Sequence, residues 1–350
     1  MSYSLQEILI DNTNQTLLEL LELQNRQRAE AFGITTENVK EKIKSRLDLF
    51  HEVYAEVIEH CGVLQINPVP IETLWNLWLP LAMQLSTWRR SQHRGLIQGF
   101  LGGQGTGKTT LTTTLALILK RLGHQTAFLS IDDLYLPYAD RLELQKSDPR
   151  LIHRGPPGTH DVQLGLQVLN QFQQGEFPID LPRFDKSAHN GAGDRTVADR
   201  IDAADILLFE GWFVGARPID PIRFETALSP IDTEHDRAFA RDINDRLRDY
   251  LPLWERLDRL IVLYVPDYQL SKQWRKQAEH KMIAAGKTGM SDAEIDEFVN
   301  YFWKALHPEL FVQPLARSAS DLSTRSSNRV DLVIEINANH QPETIYGRAR

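Results

Sequence analysis

Apolar positions in the first part of the chain recur at helical spacing. Leu5, Ile8, Leu17, Leu18, Leu21 and Leu23 open the pattern, and Val39, Ile43, Leu47, Phe50 and Val53 continue it from about Thr36, a good N-cap. Trp75, Trp78, Leu81, Leu85 and Trp88 keep the same period, with Pro80 expected to kink or restart that helix. An aromatic stripe of this kind reads as core rather than as a ligand box. Residues 1–94 are therefore expected to form a helical layer packed on the domain beyond it, joined to that domain by the charged run Arg89–Arg94, which reads as a solvated boundary. From Gly95 the pattern changes. Short apolar runs at Leu96–Leu101, Thr126–Ile131, Ile206–Phe209, Leu260–Val265 and Val330–Ile336 alternate with helical stretches. Several are apolar throughout, as in a parallel sheet covered on both faces, whereas Asp331 and Glu335 interrupt the last and suggest an edge. The expectation is an α/β fold over residues 95–350, a five-stranded, mostly parallel sheet flanked by helices, with a helical lid around 268–290. Leu322–Asn328 reads as a polar loop before the last strand.

The junction of the first strand and the helix after it carries the strongest chemical signal. Gly102-Gly103-Gln104-Gly105-Thr106-Gly107-Lys108-Thr109-Thr110 fits the phosphate-binding loop pattern, and Leu111, Leu115, Ile118 and Leu119 then share one helical face. Glycines let the backbone turn its N–H groups toward phosphate oxygens, and the helix N-terminus adds positive potential. Lys108, expected to face solvent at the loop, would reach the outer phosphates, and the Thr109 hydroxyl would ligate magnesium. The loop type of an open α/β sheet puts ligands at the carboxyl ends of its strands.

Two further strands end in acids. Ser130-Ile131-Asp132-Asp133-Leu134-Tyr135 offers a base for a substrate hydroxyl, if these acids do not merely cap a turn. Leu207-Leu208-Phe209-Glu210 is a Walker-B arrangement, in which the acid meets the magnesium shell. Between them, His153 to Asp161 and Pro182 to Arg195 read as loops that gather Arg154, His160, Arg183, Lys186 and Arg195. These either grip a small anion or pair with acids at the surface. A basic helix at Trp274–Lys281, followed by Gly286-Lys287-Thr288-Gly289, suits a closing lid whose Arg275 or Lys276 meets a transferring phosphoryl group. The alternative is a solvated helix on which Arg275 and Glu279 pair at i,i+4. Ser291-Asp292-Ala293-Glu294 is a capping box, and Ile295, Phe298, Phe302 and Leu306 behind it read as core.

Composition removes several classes. A net charge of -8 argues against broad contact with nucleic-acid backbone. The single cysteine, Cys61, excludes an internal disulfide and reads as a small buried side chain. Met1–Ser4 lacks the start of a signal peptide, and the most apolar stretch, Leu74–Leu85, is too short to span a bilayer, so a cytoplasmic setting without membrane contact is expected. No Asn-Lys-x-Asp motif favours guanine.

The phosphate loop, Ser130–Tyr135, Arg154-Gly155 to Thr159-His160-Asp161, Arg183-Phe184-Asp185-Lys186-Ser187 and Phe209-Glu210-Gly211-Trp212 together resemble the plant-type D-glycerate 3-kinases. So do Trp274-Arg275, Gln277-Ala278-Glu279, Gly289–Asp292 and the pattern Asn244, Leu247, Tyr250, Trp254, Asp258. The likeness is best over residues 95–310. Relatives often carry Phe at Leu134 and Ser at Thr159. The resemblance implies a fold shared with phosphoribulokinase, uridine kinase and pantothenate kinase, and transfer of the γ-phosphoryl of ATP to the 3-hydroxyl of D-glycerate. It implies Asp132 as base, Asp133 near metal or substrate, and Mg2+ held by Thr109 and Glu210. Lys108 and Arg275 stabilise charge, and Tyr135, Arg154, His160, Arg183, Lys186 and Arg195 form the substrate set, with the four cations among them unranked. A nucleoside, pantothenate or sugar-phosphate kinase, or a regulatory ATPase, are the competing expectations.

Overall fold

The computed structural model describes residues 5–10, 14–226, 228–284, 286, 289–319 and 330–347. Met1–Ser4, Lys287, Thr288 and the loop expected at Leu322–Asn328 lie outside them. The first part is helical as its periodicity requires: α1 Leu5–Ile10, α2 Gln15–Gln24, α3 Arg26–Ala31, α4 Val39–Val63, the short α5 Ile71–Thr73 and α6 Leu79–Arg90. α4 begins later than Thr36, because Asn38 closes the preceding turn, its side chain accepting from Thr35 N–H and donating to Gly33 O. A π-helical turn at Leu74–Trp78 runs without a break into α6, whose second residue is Pro80, so the helix adjusts locally beside the residue that lacks an N–H. The tryptophan stripe is core: Trp75, Trp78, Leu81, Leu85 and Trp88 are all buried, as is Cys61 on α4.

After this layer come β1 Leu96–Gly102, α7 Lys108–Arg121, β2 Thr126–Ser130, α8 Tyr138–Ser147, α9 Val162–Gln174, β3 Ile179–Asp185, β4 Asp194–Ile201 and β5 Ile206–Gly211. The chain continues through α10 Glu234–Arg246, α11 Leu251–Trp254, β6 Arg259–Tyr264, α12 Leu270–Ala284, α13 Asp292–Ala305, α14 Pro308–Ser318, β7 Leu332–Ile336 and β8 Pro342–Gly347. The main sheet has six strands in the order β2-β5-β1-β6-β7-β8, parallel except for β8. The five expected strands are all present, and β8 is an addition. It pairs antiparallel with β7, so β7 is not the edge, and α3 packs beside β8. Period-two alternation divides the strands between two cores. Leu96, Phe100, Ile206, Leu208, Ile261 and Leu263 face the N-terminal helices and α7, while Ile97, Leu101, Leu207, Phe209, Leu260 and Val262 face α9, α10, α11 and α14.

The segment read as a cationic loop between residues 182 and 195 is instead a two-stranded antiparallel hairpin, β3–β4. The connection at Arg89–Arg94 is not simply solvated: Arg89 pairs with Asp205 at 3.2 Å, and Arg94 grips Asp258 through both Nη atoms. Asp258 also accepts the Ile97 N–H, which ties the helical layer to the start of β1 and the residue before β6. No helix among the described residues is long and apolar enough to cross a membrane.

Candidate active site

Sheet register brings three chain segments to one edge. In β5, Glu210 lies beside Phe100 of β1 and Ser130 of β2. β2 is not next to β1, since β5 runs between them. Past Gly102 the chain curls through Gly103–Gly107. Gly105 and Gly107 take φ values of 79° and 81°, which a side chain would strain. The apex is held from outside: Trp274 packs on Gly105, and the His340 ring stacks near Trp274 with its Nδ1 2.8 Å from Gly105 O. Neither contact had a local sequence signal, because His340 sits in the turn before β8.

Lys108 opens α7. Its Nζ donates to Gly103 O at 2.9 Å and lies 3.9 Å from Glu210 Oε2. The side chain is only 14% exposed, so it is not the solvent-facing group expected. Burial draws its ammonium below the usual lysine range, against the opposing pull of Glu210 and Asp132. Thr109 is exposed on the first turn of α7. Among the described residues no three His, Cys, Asp or Glu side chains converge as a metal cluster. Magnesium needs fewer, because phosphate oxygens and water complete its octahedron. The hydroxyl of Thr109 and the carboxylate of Glu210 are hard oxygen donors that fit it.

Asp133, expected near the metal or substrate, is engaged through one of its oxygens. Its Oδ2 accepts the Ser130 N–H at 2.9 Å and Arg183 Nη1 at 3.2 Å, closing a capping box over the turn Ile131–Leu134. Burial raises its carboxyl pKa. Asp132 faces the other way: Oδ1 accepts from Tyr135 Oη at 2.8 Å and Oδ2 from Lys186 Nζ at 2.6 Å. Burial opposes its charge, but Lys186 and Tyr135 hold the carboxyl below its usual range, so it stays ionised.

A short antiparallel bridge sets the wall beside it. Asp161 N–H donates to Leu134 O and Leu136 N–H to Thr159 O, so Tyr135 and His160 stack at 4.7 Å. Phe184 meets Tyr135 edge-on, and Arg154 lies over both the Tyr135 and Phe184 rings. The structure separates the four cations that the sequence left unranked. Arg183 is held by Asp133 and Asp199, and Arg195 by Asp161 at 2.8 Å, so these two make the acid pairs that were the alternative reading. Lys186 is on Asp132. Arg154 has no carboxylate partner among the described residues; its Nη1 donates to the Gly191 and Ala192 carbonyls. On α12, Arg275 pairs with Glu279 and lies over Phe298, while Lys276 reaches Asp296 at 2.9 Å. The capping box at Ser291 is present. Phe298 and Phe302, read as core, are only half-buried and turn toward His153 and Gly155 at the site's rim.

No family model matches the chain. Over 222 residues it is 34% identical to an uncharacterized kinase of Schizosaccharomyces pombe, covering 61% of this chain and 80% of that protein. It is 32% identical over 240 residues to the chloroplastic D-glycerate 3-kinase of Arabidopsis thaliana, covering 65% of this chain; the match spans about half, 51%, of that enzyme's length. A solved structure of D-glycerate 3-kinase from Cryptococcus neoformans superposes with a TM-score of 0.66 at 27% identity, over 76% of this chain and 96% of that one.

Proposed function

The chain belongs to the family of P-loop kinases that includes these D-glycerate 3-kinases, and on that premise we propose that it transfers the γ-phosphoryl group of ATP to the 3-hydroxyl of D-glycerate. The observation that carries the acceptor is Arg154. Its Nε and Nη2 edge has no protein partner among the described residues, and that edge is the one that grips a carboxylate bidentately. It lies over the ring of Tyr135, whose hydroxyl is on Asp132. A three-carbon hydroxy acid held there delivers its C3 hydroxyl to the base.

Residues 102–110 supply the cradle for the triphosphate, with Lys108 exchanging Gly103 O for phosphate oxygens. Thr109 and Glu210 would hold magnesium, which when bound would supply charge neutralisation for the phosphates. Asp132 takes the hydroxyl proton as the O3–Pγ bond forms and the bond from Pγ to the β-bridging oxygen breaks, leaving ADP and 3-phosphoglycerate. Lys186 keeps Asp132 ionised until the acceptor arrives. In a closed lid over residues 268–290, Arg275 would leave Glu279 for the transferring group. Most of the acceleration is positioning and electrostatics. The test is ADP release with D-glycerate, glycerol, D-lactate, uridine and pantothenate offered in turn. D-glycerate alone should be turned over well: glycerol leaves Arg154 unpaired, and lactate has no C3 hydroxyl. Preference for uridine or pantothenate, or release of ADP without any acceptor, contradicts the proposal.

A further inference from the structure

His160 and Tyr250 are 90 residues apart and meet in the buried wall behind Asp132. The Tyr250 hydroxyl accepts the Gly158 N–H at 2.8 Å. A backbone N–H can only donate, so that contact takes a lone pair and leaves the hydroxyl proton to be placed. Its other partner is His160 Nδ1, also at 2.8 Å. Were Nδ1 the donor, the phenol proton would have no acceptor among the described residues; with the tyrosine donating to Nδ1 instead, a neutral imidazole carries its proton on Nε2. The ring is neutral, since burial pushes His160 down to about 3 against the pull of Asp132. Nε2 is buried and has no partner among the described residues. An unmade hydrogen bond of this kind is costly, and a ligand that completes it accounts for its place in the wall. The ring stacks on Tyr135, which is itself hydrogen-bonded to the base.

We propose that Tyr250 is a positioning residue that locks His160 as the Nε2–H tautomer, so that His160 offers an oxygen of the acceptor a neutral donor beside Asp132. This rests on the kinase reading above and narrows it. An alcohol or carboxylate oxygen can accept from that N–H, whereas an ammonium group at the same place cannot. The site thus selects acceptors by lone pairs as well as by the charge that Arg154 reads.

Long-range 1H–15N correlation on protein labelled at histidine nitrogens tests the lock directly at pH 7. His160 should show a protonated Nε2 and an unprotonated, hydrogen-bonded Nδ1, and Tyr250→Phe should lose that Nδ1 signature while the protein stays folded by circular dichroism. With D-glycerate as acceptor, His160→Asn should lower kcat/KM for the acceptor about 10- to 100-fold with KM for ATP little changed. His160→Gln, whose amide N–H reaches the Nε2 position, should recover most of the loss. A proton on Nδ1, an imidazolium at pH 7, or an unchanged kcat/KM in folded His160→Asn overturns the inference. Should the wild type leave D-glycerate untouched, the acceptor assignment fails on its own, and the nitrogen spectrum still decides the tautomer.

Discussion

Asp132 and Asp133 are neighbours with different partners, and replacing each tests the roles proposed for them. In Asp132→Asn the Oδ1 contact from Tyr135 can survive, but the new amide N–H₂ faces Lys186 Nζ, formerly 2.6 Å from a carboxylate oxygen. The variant loses both the basic site and its ion pair. Because Asp132 is partly exposed and Lys186 largely so, the pair itself is worth little, about 1 kcal/mol or less. The loss should therefore fall on the reaction. General-base removal costs about 10²- to 10⁴-fold in kcat, which is ~3–5 kcal/mol of barrier. ATP affinity, measured by calorimetry, should stay within a few-fold. Asp133→Ala instead removes the acceptor of the Ser130 N–H and the partner of Arg183. A lost cap and a half-buried pair together cost about 2 kcal/mol of stability. The assay is steady-state turnover beside chemical unfolding for both variants. If folded Asp133→Ala loses as much kcat as Asp132→Asn at unaltered ATP affinity, the base has been misassigned.

Arg154→Ala should raise KM for D-glycerate about 100-fold and leave KM for ATP near normal, while Arg183→Ala, which breaks pairs with Asp133 and Asp199, should mainly lower the melting temperature; the reverse pattern would move the carboxylate grip to Arg183. Arg275→Ala should cut kcat about 100-fold with little effect on acceptor KM, and an unchanged kcat would mean that its pair with Glu279 is its whole role. His160 titrates near 3 when folded and near the ordinary histidine value when unfolded, so the unfolded chain binds the extra proton between those values. Its stabilising contribution is complete above about pH 6.5 and is lost as pH falls, by about 2 kcal/mol between pH 7 and 5; denaturant melts of wild type and His160→Gln should differ by that amount in their pH response, and identical responses would refute it.

The central strands were legible because they are covered on both faces and so are apolar throughout, and the phosphate loop because only its glycines can take the backbone it needs. β3 and β4 were not: only Ile179 and Leu181 at the start of β3 alternate into the core, too short a run to read, and Pro182, Arg183, Asp185, Asp194 and Arg195 carry no apolar alternation. β8 was missed for a similar reason, an edge strand of six residues opening on Pro342. The acids at strand ends could be found locally, but not all of the groups that each one meets. That Asp133 caps its own turn through Ser130 is a local contact, whereas the pairing of Arg183 with Asp133 and of Arg195 with Asp161 depends on partners 50 and 34 residues away. The Tyr250–His160 contact spans still more chain, and only the folded molecule brings it together.

The most direct test of the account is the identity of the product formed from ATP and D-glycerate, read by 31P and 1H NMR. The account predicts 3-phosphoglycerate with equimolar ADP, its phosphorus coupled to the two C3 protons. Coupling to the single C2 proton would show the acceptor held in the opposite orientation, and no phosphorylated glycerate at all, from an enzyme that phosphorylates another acceptor, would contradict the assignment.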